Sequence, residues 1–472
     1  MIYISSRPLF HLFSSPENFY IYDSNTNEIL KSDEDTWKEL KTLKESDELL
    51  ESELLERFQE EGLLKTPKLE KLDTGLSEQQ TRRYLKENIE NLELKVTENC
   101  NLGCDYCYYS EAYPMIPSFS EKNMSESIIK KSIDVFSDRS KKAINSYLIF
   151  YGGEPLLNME GIREAVEYSE DLLGDDVTPF LVTNAVGMDE EVSKFLHNKD
   201  FLIQVSLDGP EEVHDKHRKY RNGSPTFGDV KENLTALKEM DEDFYEEKVK
   251  FNATLTPPYE LIEIDDFFSN DELVKNNKLT ANFVSDFGFD LDWDFSKDEK
   301  YREKTSELKK RYIDAVVEKE PERSKLTHAI FGELLGYIHI RRMRELDETH
   351  YPNGICIPGS KSMFVSPDGD IYVCERTEKD LKIGNVENEG FSEERALEIV
   401  DEYTEEKSDM CSECWGVRLC KNCYSFDMYD GKYNDDLMEK SCRGRRSSID
   451  EALELYVSIR EQDDEAMEHL DE

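Results

Sequence analysis

The sequence predicts an α/β protein in which a partial (β/α)6 TIM-like barrel follows an N-terminal winged-helix-like domain and precedes a C-terminal cysteine-rich domain. Three observations predict this architecture. Strand-like runs and amphipathic helical stretches alternate across residues 92–310. A strand-rich segment followed by helical stretches occupies residues 1–66. Seven of the ten cysteines fall between residues 356 and 442. A chain of 472 residues is long enough for several domains.

Residues 1–66 are predicted to form a separate unit because turn residues divide them into short elements. The stretch NFYIYDSNTNEILKS has two strand-like runs around the turn Ser24–Asn27, which is a hairpin signal. Asp33 is placed to cap a helix that carries Trp37, and a second helical stretch, ESELLERFQEEG, follows. Strands followed by helices are typical of a winged-helix-sized domain. We expect the charged residues 67–91 to link it to the barrel.

The barrel is predicted by six strand-like runs separated by amphipathic helices. The strand candidates are residues 92–97, 146–155, 179–185, 201–209, 248–256 and 279–285. Six βα repeats imply a parallel sheet with right-handed crossovers, closed or partly closed as a barrel. Functional residues of such a sheet lie at the carboxyl ends of the strands. The loop after the first strand and the motifs YGGE, TN and SLDG after the next three should therefore meet at one mouth.

The remainder of the chain is predicted to be a helical connector, a metal-organised domain and a tail. Residues 311–350 are charged and helical. Residues 351–447 are rich in Cys, Gly and Asp, which is typical of a domain built around metal rather than around a large apolar core. Residues 448–472 are predicted to form an acidic helical tail at the surface.

The charge balance excludes some classes of partner. With 105 acidic and 59 basic residues, the formal net charge is −46. Phosphate binding requires clustered positive charge, so nucleic acid is not an expected partner. Such acidity favours a salt-rich cytoplasm, where salt screens the self-repulsion, over an ordinary acidic protein with solvated Glu-rich helices. Neither an apolar run of about 18 residues nor a secretory pattern occurs, so we expect a cytoplasmic protein without membrane contact.

The stretch TENCNLGCDYCYYS, residues 97–110, places Cys100, Cys104 and Cys107 in one short loop. Iron–sulfur clusters of four irons normally take four cysteine thiolates, so three thiolates leave one iron able to bind a small molecule. A structural zinc site, which is the alternative, would also need a fourth ligand, and no histidine follows the triad closely. The triad therefore predicts a cluster with an open coordination site.

The pattern C-x3-C-x2-C after the first strand of a barrel resembles the radical S-adenosylmethionine (SAM) superfamily, and the strand-end motifs extend the resemblance. The resemblance implies that the triad holds a 4Fe–4S cluster with SAM on its open iron. Reductive cleavage of SAM then yields a 5′-deoxyadenosyl radical that abstracts hydrogen from a substrate. Nine residues are implied to contact SAM, from its adenine to its amino, ribose and carboxylate groups: Tyr106, Gly152, Gly153, Glu154, Thr183, Asn184, Ser206, Asp208 and Arg218.

The seven C-terminal cysteines have a spacing that resembles the SPASM domain, a carrier of two auxiliary 4Fe–4S clusters, which brings the expected total to three clusters. The family's pairing implies an outer set and an inner set, respectively Cys411, Cys414, Cys420 and Cys442, and Cys356, Cys374 and Cys423. The family pattern ends its central run with C-x3-C, whereas two residues separate Cys420 from Cys423. A zinc ribbon built on the four central cysteines is the alternative.

The inner set is one ligand short, and the residue after Cys374 is a carboxylate. Water, a non-cysteine side chain or a substrate thiolate could complete the inner cluster. Glu375 stands where sulfatase-maturating relatives carry an Asp that takes a proton from the substrate. The resemblance therefore makes Glu375 a candidate catalytic base, with an ordinary surface carboxylate as the alternative.

The N-terminal unit resembles the recognition element for ribosomally synthesised and post-translationally modified peptides (RiPPs), which binds a leader peptide as an extra strand. With the barrel and the twin-cluster domain, it resembles maturases of ranthipeptides and sactipeptides, which join a cysteine sulfur to a carbon as a thioether. The implied partners are a precursor peptide with a leader and an electron donor such as ferredoxin or flavodoxin. The alternatives are an anaerobic sulfatase-maturating enzyme that makes formylglycine, a maturase that makes carbon–carbon or ether crosslinks, and a non-catalytic peptide-binding or electron-carrying protein.

Overall fold

A computed structural model describes residues 7–46, 52–110, 118–257, 259–284, 299–353, 356–377, 381–429 and 431–468. The N-terminal unit begins with an antiparallel sheet in the order β1-β2-β3, formed by β1 (Phe10–Ser14), β2 (Phe19–Asp23) and β3 (Glu28–Ser32). Helices α1 (Glu34–Lys44) and α2 (Glu53–Glu60) follow. Asp33 caps α1, as the sequence predicts, by accepting a hydrogen bond from the Thr36 amide at 2.8 Å. Residues 1–6 and 47–51 of the predicted unit lie outside the described residues.

Residues 67–91, which the sequence predicts as a linker, contain regular structure. They hold β4 (Lys71–Leu72) and α3 (Glu78–Glu87). Helix α3 begins with a capping box, because the Ser77 hydroxyl accepts from the Gln80 amide and the Gln80 side chain accepts from the Ser77 amide. Leu85 on this helix is fully buried, so the segment packs on the barrel rather than spanning open space.

The barrel consists of six parallel strands arranged in sequence order and alternating with helices. Its elements are β5 (Asn91–Thr97), α4 (Glu126–Arg139), β6 (Ser146–Gly152), α5 (Met159–Leu173), β7 (Val177–Thr183), α6 (Glu190–Asn198), β8 (Leu202–Ser206), α7 (Glu211–His217), α8 (Phe227–Met240), α9 (Glu242–Lys248), β9 (Val249–Leu255), α10 (Leu261–Asn270) and β10 (Lys278–Phe283). The predicted α/β class with a partial (β/α)6 barrel is confirmed. Residue 285, the last of the sixth predicted strand, lies outside the described residues.

Alternation along the strands separates a helix-facing core from the barrel interior. In β5, Leu92, Leu94 and Val96 are fully buried in the core that the strands share with the surrounding helices. Each such aliphatic side chain stabilises the fold by about 1.5–3 kcal/mol. Glu93 and Lys95 face the opposite side, since successive side chains of a strand alternate. This strand therefore presents charged groups to the interior of the barrel.

Two long helices follow the barrel, α11 (Glu299–Val317) and α12 (Lys325–His339), and then the short strand β11 (Thr349–His350), which pairs in parallel with β4. The boundary between barrel and connector that the sequence places at residue 310 falls inside α11. Helix α11 packs against α10 of the barrel and against α12. A single helix therefore joins the two predicted parts.

The C-terminal part adds short strands and two long helices to the barrel. They are β12 (Ser362–Val365), β13 (Asp370–Tyr372), β14 (Lys382–Asn385), β15 (Gly390–Phe391), α13 (Glu393–Ser412), β16 (Met428–Tyr429), β17 (Lys432–Tyr433) and α14 (Asp435–Gln462). Strand β12 pairs in parallel with β5, so the barrel sheet continues into the C-terminal part as a ten-stranded sheet. This junction is not predictable from the sequence, because a four-residue strand in a Gly-rich segment shows too little periodicity.

Residues 448–472, which the sequence predicts as a surface tail, largely belong to α14. Leu453, Tyr456 and Ile459 of this helix are buried in a cluster with Phe13 and Tyr20 of the N-terminal sheet and with residues of α11 and α12. Helix α14 therefore supports the N-terminal unit, the connector and the cysteine-rich part together. Among the described residues, no helix combines the length and the apolar composition needed to cross a membrane.

Candidate functional site

The cysteine triad lies in the loop that follows β5. The Leu102 amide donates to the Cys100 Sγ at 3.4 Å, and the Cys107 amide donates to the Cys104 carbonyl at 3.2 Å. Local backbone hydrogen bonds therefore hold the loop that carries the three sulfurs. All three are free thiols. Burial raises the pKa of Cys100 and of Cys104 to about 12, and the neighbouring cysteines add to the rise. Buried thiols with such pKa values need a strongly cationic partner before they can ionise.

The triad fits an iron–sulfur cluster better than a single metal ion. The three thiols are near enough to raise one another's pKa. Even so, within the part of the chain that the structure describes, no three His, Cys, Asp or Glu side chains converge as one ion requires. In a cubic cluster each thiolate binds a different iron, so a wider spacing is what the ligands need.

The glycine motif after β6 is required by close backbone contact with the triad loop. A Cβ at Gly152 would lie 2.3 Å from the Thr97 carbonyl oxygen, and one at Gly153 would lie 2.1 Å from the Asn99 carbonyl oxygen. The Gly153 amide donates to the Thr97 carbonyl at 3.0 Å. Side chains other than hydrogen cannot occupy these positions without moving the loop. The two glycines therefore fix the distance between β6 and the triad loop.

Glu154 ties the second and third strand ends together. Its carboxylate accepts hydrogen bonds from the Thr183 hydroxyl at 2.7 Å, the Asn184 amide at 2.8 Å and the Leu156 amide at 3.0 Å. The Asn184 side chain in turn donates to Asn101 of the triad loop at 2.8 Å. Burial raises the pKa of Glu154, and these donors oppose that rise. Three of the residues predicted to contact SAM, Glu154, Thr183 and Asn184, are thus part of one hydrogen-bonded network.

Asp208 organises the other predicted SAM contacts. Its carboxylate accepts hydrogen bonds from the Tyr106 hydroxyl, from Arg218 Nε at 3.0 Å and from the Thr254 amide at 3.0 Å. The Arg218 guanidinium lies 5.4 Å from the centre of the Tyr106 ring. Ser206 lies at the carboxyl end of β8 in register with Asn252, rather than inside this network. Tyr106, Asp208 and Arg218 therefore meet on the Cys104 side of the triad.

Charged groups of both networks act on cysteines of the triad loop. The charge of Glu154 contributes to the raised pKa of Cys100, and the charge of Arg218 opposes the raised pKa of Cys104, after burial in both cases. A ligand on the triad would therefore meet both carboxylate acceptors and a guanidinium. This arrangement suits an amino acid moiety and a nucleoside, which is the chemistry of SAM. The individual SAM contacts stay predictions.

Four of the C-terminal cysteines line one small cavity. They are Cys411 at the end of α13, Cys414 and Cys420 in the loop that follows, and Cys442 on α14. Cys423 does not line this cavity. The grouping supports the outer set that the family resemblance implies, and it disfavours a zinc ribbon that would use Cys423 instead of Cys442.

The remaining three C-terminal cysteines lie together. The neighbouring charge of Cys423 contributes to the raised pKa of Cys356 and of Cys374, after burial in each case. The Cys423 Sγ lies 3.4 Å from the Ser425 hydroxyl. The one-residue shortening between Cys420 and Cys423 therefore leaves Cys423 with the inner set. No further cysteine of the described chain is left to complete it.

Glu375 lies at the junction between the barrel and the inner set, near a carboxyl group that the sequence analysis did not single out. Its carboxylate is 3.4 Å from Arg376 Nε. Burial, and then the charge of Glu375, raise the pKa of Glu93 to about 8. The Tyr108 and Tyr151 hydroxyls hydrogen-bond to each other beside this group. The sequence signal for Glu93 was the alternation of charged and apolar residues in the strand LELKVT, where Glu93 and Lys95 stand between apolar residues.

Comparison with known proteins agrees with this geometry. Residues 94–268 match the sequence model of the Radical SAM superfamily, and residues 356–424 match that of SPASM, an iron-sulfur cluster-binding domain. An uncharacterised protein of Methanocaldococcus jannaschii is 28% identical over 301 residues, which are 64% of this chain and 90% of that protein. A cysteine-type anaerobic sulfatase-maturating enzyme of Clostridium novyi is 24% identical over 354 residues, 69% of this chain and 85% of that enzyme.

A solved structure, native anSMEcpe with bound AdoMet, superposes with a TM-score of 0.59 at 20% identity and covers 81% of this chain and 99% of that chain. At this identity the similarity concerns the fold alone. Together with the two domain matches, it defines the class: the chain is a radical SAM enzyme. More particularly, it belongs to the radical SAM enzymes that carry a C-terminal SPASM domain, as the sequence resemblance predicted.

Proposed function

We propose that this enzyme is a peptide maturase that crosslinks a ribosomally made precursor, with a cysteine thioether as the product. The observation that carries the proposal is the N-terminal sheet, which is fixed to the catalytic body. The His11 ring stacks on Trp415, next to Cys414, at 3.8 Å between ring centres, and Glu461 of α14 accepts from the Tyr20 hydroxyl at 2.7 Å. A peptide bound to this sheet would therefore stay at a fixed distance from the barrel.

Strand β3 is the candidate edge for a leader peptide. Among the described strands both β1 and β3 pair with β2 alone, and β1 packs against α14, so β3 is the edge on which a further strand could pair. An extended peptide can add a strand to such an edge through main-chain hydrogen bonds, while side chains read its sequence. The α2 stretch ELLERFQE is acidic, which supports a peptide rather than a nucleic acid as the ligand.

The cofactors in the proposal are SAM and three 4Fe–4S clusters. When bound, SAM and the triad cluster would supply the radical that takes a hydrogen atom, and the auxiliary clusters would supply the route by which an electron leaves. Tyr106, Glu154 and Arg218 belong to the networks that bind and orient SAM. Forming the carbon–sulfur bond removes a hydrogen atom from the substrate carbon, and a proton and an electron from the substrate thiol. Bound SAM would supply the radical that takes the hydrogen atom, a bound auxiliary cluster would take the electron, and Glu375 is the proposed acceptor of the proton.

The inner cysteine set supports the thioether in particular. The triad and the outer set use seven of the ten cysteines, so Cys356, Cys374 and Cys423 are those left for the inner cluster. A cluster with three protein thiolates has an open iron, which the thiolate of a substrate cysteine can occupy. Binding the substrate sulfur near Glu375 would bring both reacting parts of the peptide to the barrel mouth.

The test uses the anaerobically reconstituted enzyme with SAM, a reductant and a short cysteine-containing precursor encoded beside its gene. We expect 5′-deoxyadenosine, a product lighter by two hydrogen atoms and a cysteine that iodoacetamide no longer alkylates. A leaderless version of the same peptide is the matched control, and it should bind more weakly by fluorescence anisotropy. Equal binding of both peptides would contradict the role of the N-terminal sheet.

A second candidate function is the maturation of an anaerobic sulfatase, which converts Cys or Ser to formylglycine. The similarity to the Clostridium novyi sulfatase-maturating enzyme favours it, and anSMEcpe has also been solved with bound AdoMet and the Cp18Cys peptide, with a TM-score of 0.58. A sulfatase-derived peptide in the same assay separates the two candidates. An aldehyde that reacts with a hydrazide probe would support this function and contradict the thioether.

A further inference from the structure

A buried ion pair lies beside the outer cysteine set. Lys407 of α13 and Asp427 form an ion pair with 3.0 Å between Nζ and Oδ2, and their side chains are 1% and 0% exposed. The Lys407 ammonium also lies within hydrogen-bonding distance of the Cys442 Sγ, to which it donates at 3.5 Å. A cationic donor is therefore in direct contact with one of the predicted cluster ligands.

The carboxylate of Asp427 holds this ammonium in place through further hydrogen bonds. Asp427 accepts from the Asn422 side chain at 2.6 Å and from the Ser441 hydroxyl at 2.5 Å. Asn422 lies in the central cysteine run, and Ser441 directly precedes Cys442. Burying two charges costs free energy that their attraction returns only in part, and a hydrophobic pair could join the same elements. The retained charges therefore point to an electrostatic role.

The cavity that the outer set surrounds is cationic in a strongly acidic protein. The net charge of the chain is −46, yet Lys407, Arg445 and Arg446 line this cavity. The described residues of its lining include no Asp or Glu. A 4Fe–4S cluster with four thiolates is an anion, and reduction adds a further negative charge. Nearby cations and hydrogen bonds to the sulfurs therefore favour the reduced form.

We propose that Lys407 sets the reduction potential of the outer cluster, raising it through the hydrogen bond that its ammonium donates to the Cys442 thiolate. Asp427 positions the ammonium. The inference rests on the outer cluster of the proposed function, but not on the identity of the peptide product. A raised potential makes the outer cluster a better acceptor for the electron released on crosslinking than it would be without Lys407.

The test is a redox titration of the full-length holoenzyme, followed by electron paramagnetic resonance. In Lys407→Met we expect one of the three midpoint potentials to fall, with an at least tenfold smaller equilibrium constant for reduction, or about 59 mV for one electron. The other two potentials serve as internal controls. Cys442→Ser identifies the signal of the outer cluster, since it replaces one of that cluster's ligands.

Two further variants test the direction in which the reduction potential of the outer cluster shifts. Asp427→Asn removes a negative charge but has the same shape, and its amide oxygen can still accept from Lys407 and keep the ammonium in place, so the same potential should rise. Lys407→Met combined with Asp427→Asn removes both buried charges and keeps the test available if the single Lys407 variant loses its cluster. Lys421→Met is the matched control, because Lys421 follows Cys420 in sequence but pairs with Glu333 and lies over the Tyr337 ring. It should leave all potentials unchanged.

The iron and sulfide content of the wild-type enzyme is measured before any potential. Wild-type protein with no cluster at the outer cysteines would overturn the cofactor assignment and this inference with it. Clusters present in all variants, but with the same outer potential in the wild type, Lys407→Met and Asp427→Asn, would overturn this inference alone. Opposite shifts in the two single variants, confined to one cluster, are the result that supports it.

Discussion

The two cysteine-bearing regions of this enzyme are built in different ways. The triad loop is fixed by backbone contact, since the carbonyl groups of residues 97 and 99 lie so close to Gly152 and Gly153 that no Cβ would fit between them. The outer set is fixed by side chains on α13, α14 and the loop between them, with the Lys407–Asp427 pair buried among them. A site set by backbone contact allows little change in spacing. A site set by side chains on separate helices tolerates the shortened interval between Cys420 and Cys423.

The largest effect expected from this difference is loss of the triad cluster alone. Cys104→Ala should abolish 5′-deoxyadenosine formation and lower the iron content by one cluster, because two thiolates are too few to retain it. Cys414→Ala should instead remove the outer cluster and leave SAM cleavage by dithionite-reduced enzyme measurable. Iron assays and chromatography of the nucleoside product check both variants. Formation of 5′-deoxyadenosine by Cys104→Ala would contradict the assignment of SAM cleavage to the triad.

A single methyl group at the glycine motif should disturb the first region and spare the second. Gly153→Ala places a Cβ against the Asn99 carbonyl, which must then move, and we expect a loss of about 1–3 kcal/mol in stability together with weaker SAM binding. Gly187→Ala is the control, since its Cβ would meet Leu156 at an ordinary 3.6 Å. Chemical denaturation and equilibrium dialysis with SAM provide the measurements. Equal SAM affinity in the two variants would contradict the backbone argument.

Acid should weaken both regions through one buried histidine in each. Burial lowers the pKa of His214 in the barrel and of His350 beside the cysteine-rich part to about 4. The unfolded chain takes up these protons near its ordinary pKa of 6.5, so stability is lost as the pH falls from 6.5 towards 4. Each histidine contributes up to about 3 kcal/mol to this loss. Urea unfolding of the cluster-free chain at several pH values should show a shallower pH slope in His214→Gln and in His350→Gln.

The smallest effects are expected at the ion pairs that connect α3 and α4 with α13. Glu394 is 71% exposed and pairs with Arg82 at 2.6 Å, so Glu394→Gln should change the free energy of unfolding by only about 0–1 kcal/mol. Glu393 is 14% exposed and pairs with Arg139 at 3.0 Å, so Glu393→Gln should cost more. Thermal unfolding of the two variants side by side ranks them. A larger stability loss in Glu394→Gln than in Glu393→Gln would show that burial does not determine how much these ion pairs contribute.

The barrel was predictable from the sequence because its elements are periodic and its motifs are local. Strand candidates such as 92–97 and 201–209 needed only the alternation of apolar runs with amphipathic helices. The cysteine triad and the glycine motif carry their chemistry within a few residues. The hydrogen bonds of Glu154 to Thr183 and Asn184 follow once parallel strand ends are known to meet.

The rest depends on contacts between residues far apart in the chain. Lys407, Asp427 and Ser441 meet across three elements, and nothing in their spacing indicates an ion pair. Helix α14 crosses the predicted boundary at residue 448 because its apolar face packs on several parts at once. Helix α3 is a different case, because a local sequence signal for it exists. Ser77 and Gln80 have the spacing of a capping box, whereas the linker was predicted from the charge of the segment alone.

The pairing of β12 with β5 has a consequence for the design of truncated forms of this enzyme. A chain that ended before the cysteine-rich part would leave one side of β5 unpaired, with its backbone donors and acceptors open to other molecules. Exposed edges of this kind recruit further strands and lead to aggregation. The strand thus uncovered is the one that leads into the triad loop. The radical-forming half is therefore an unsuitable unit for recombinant expression by itself, and chimaeras should exchange the two parts together.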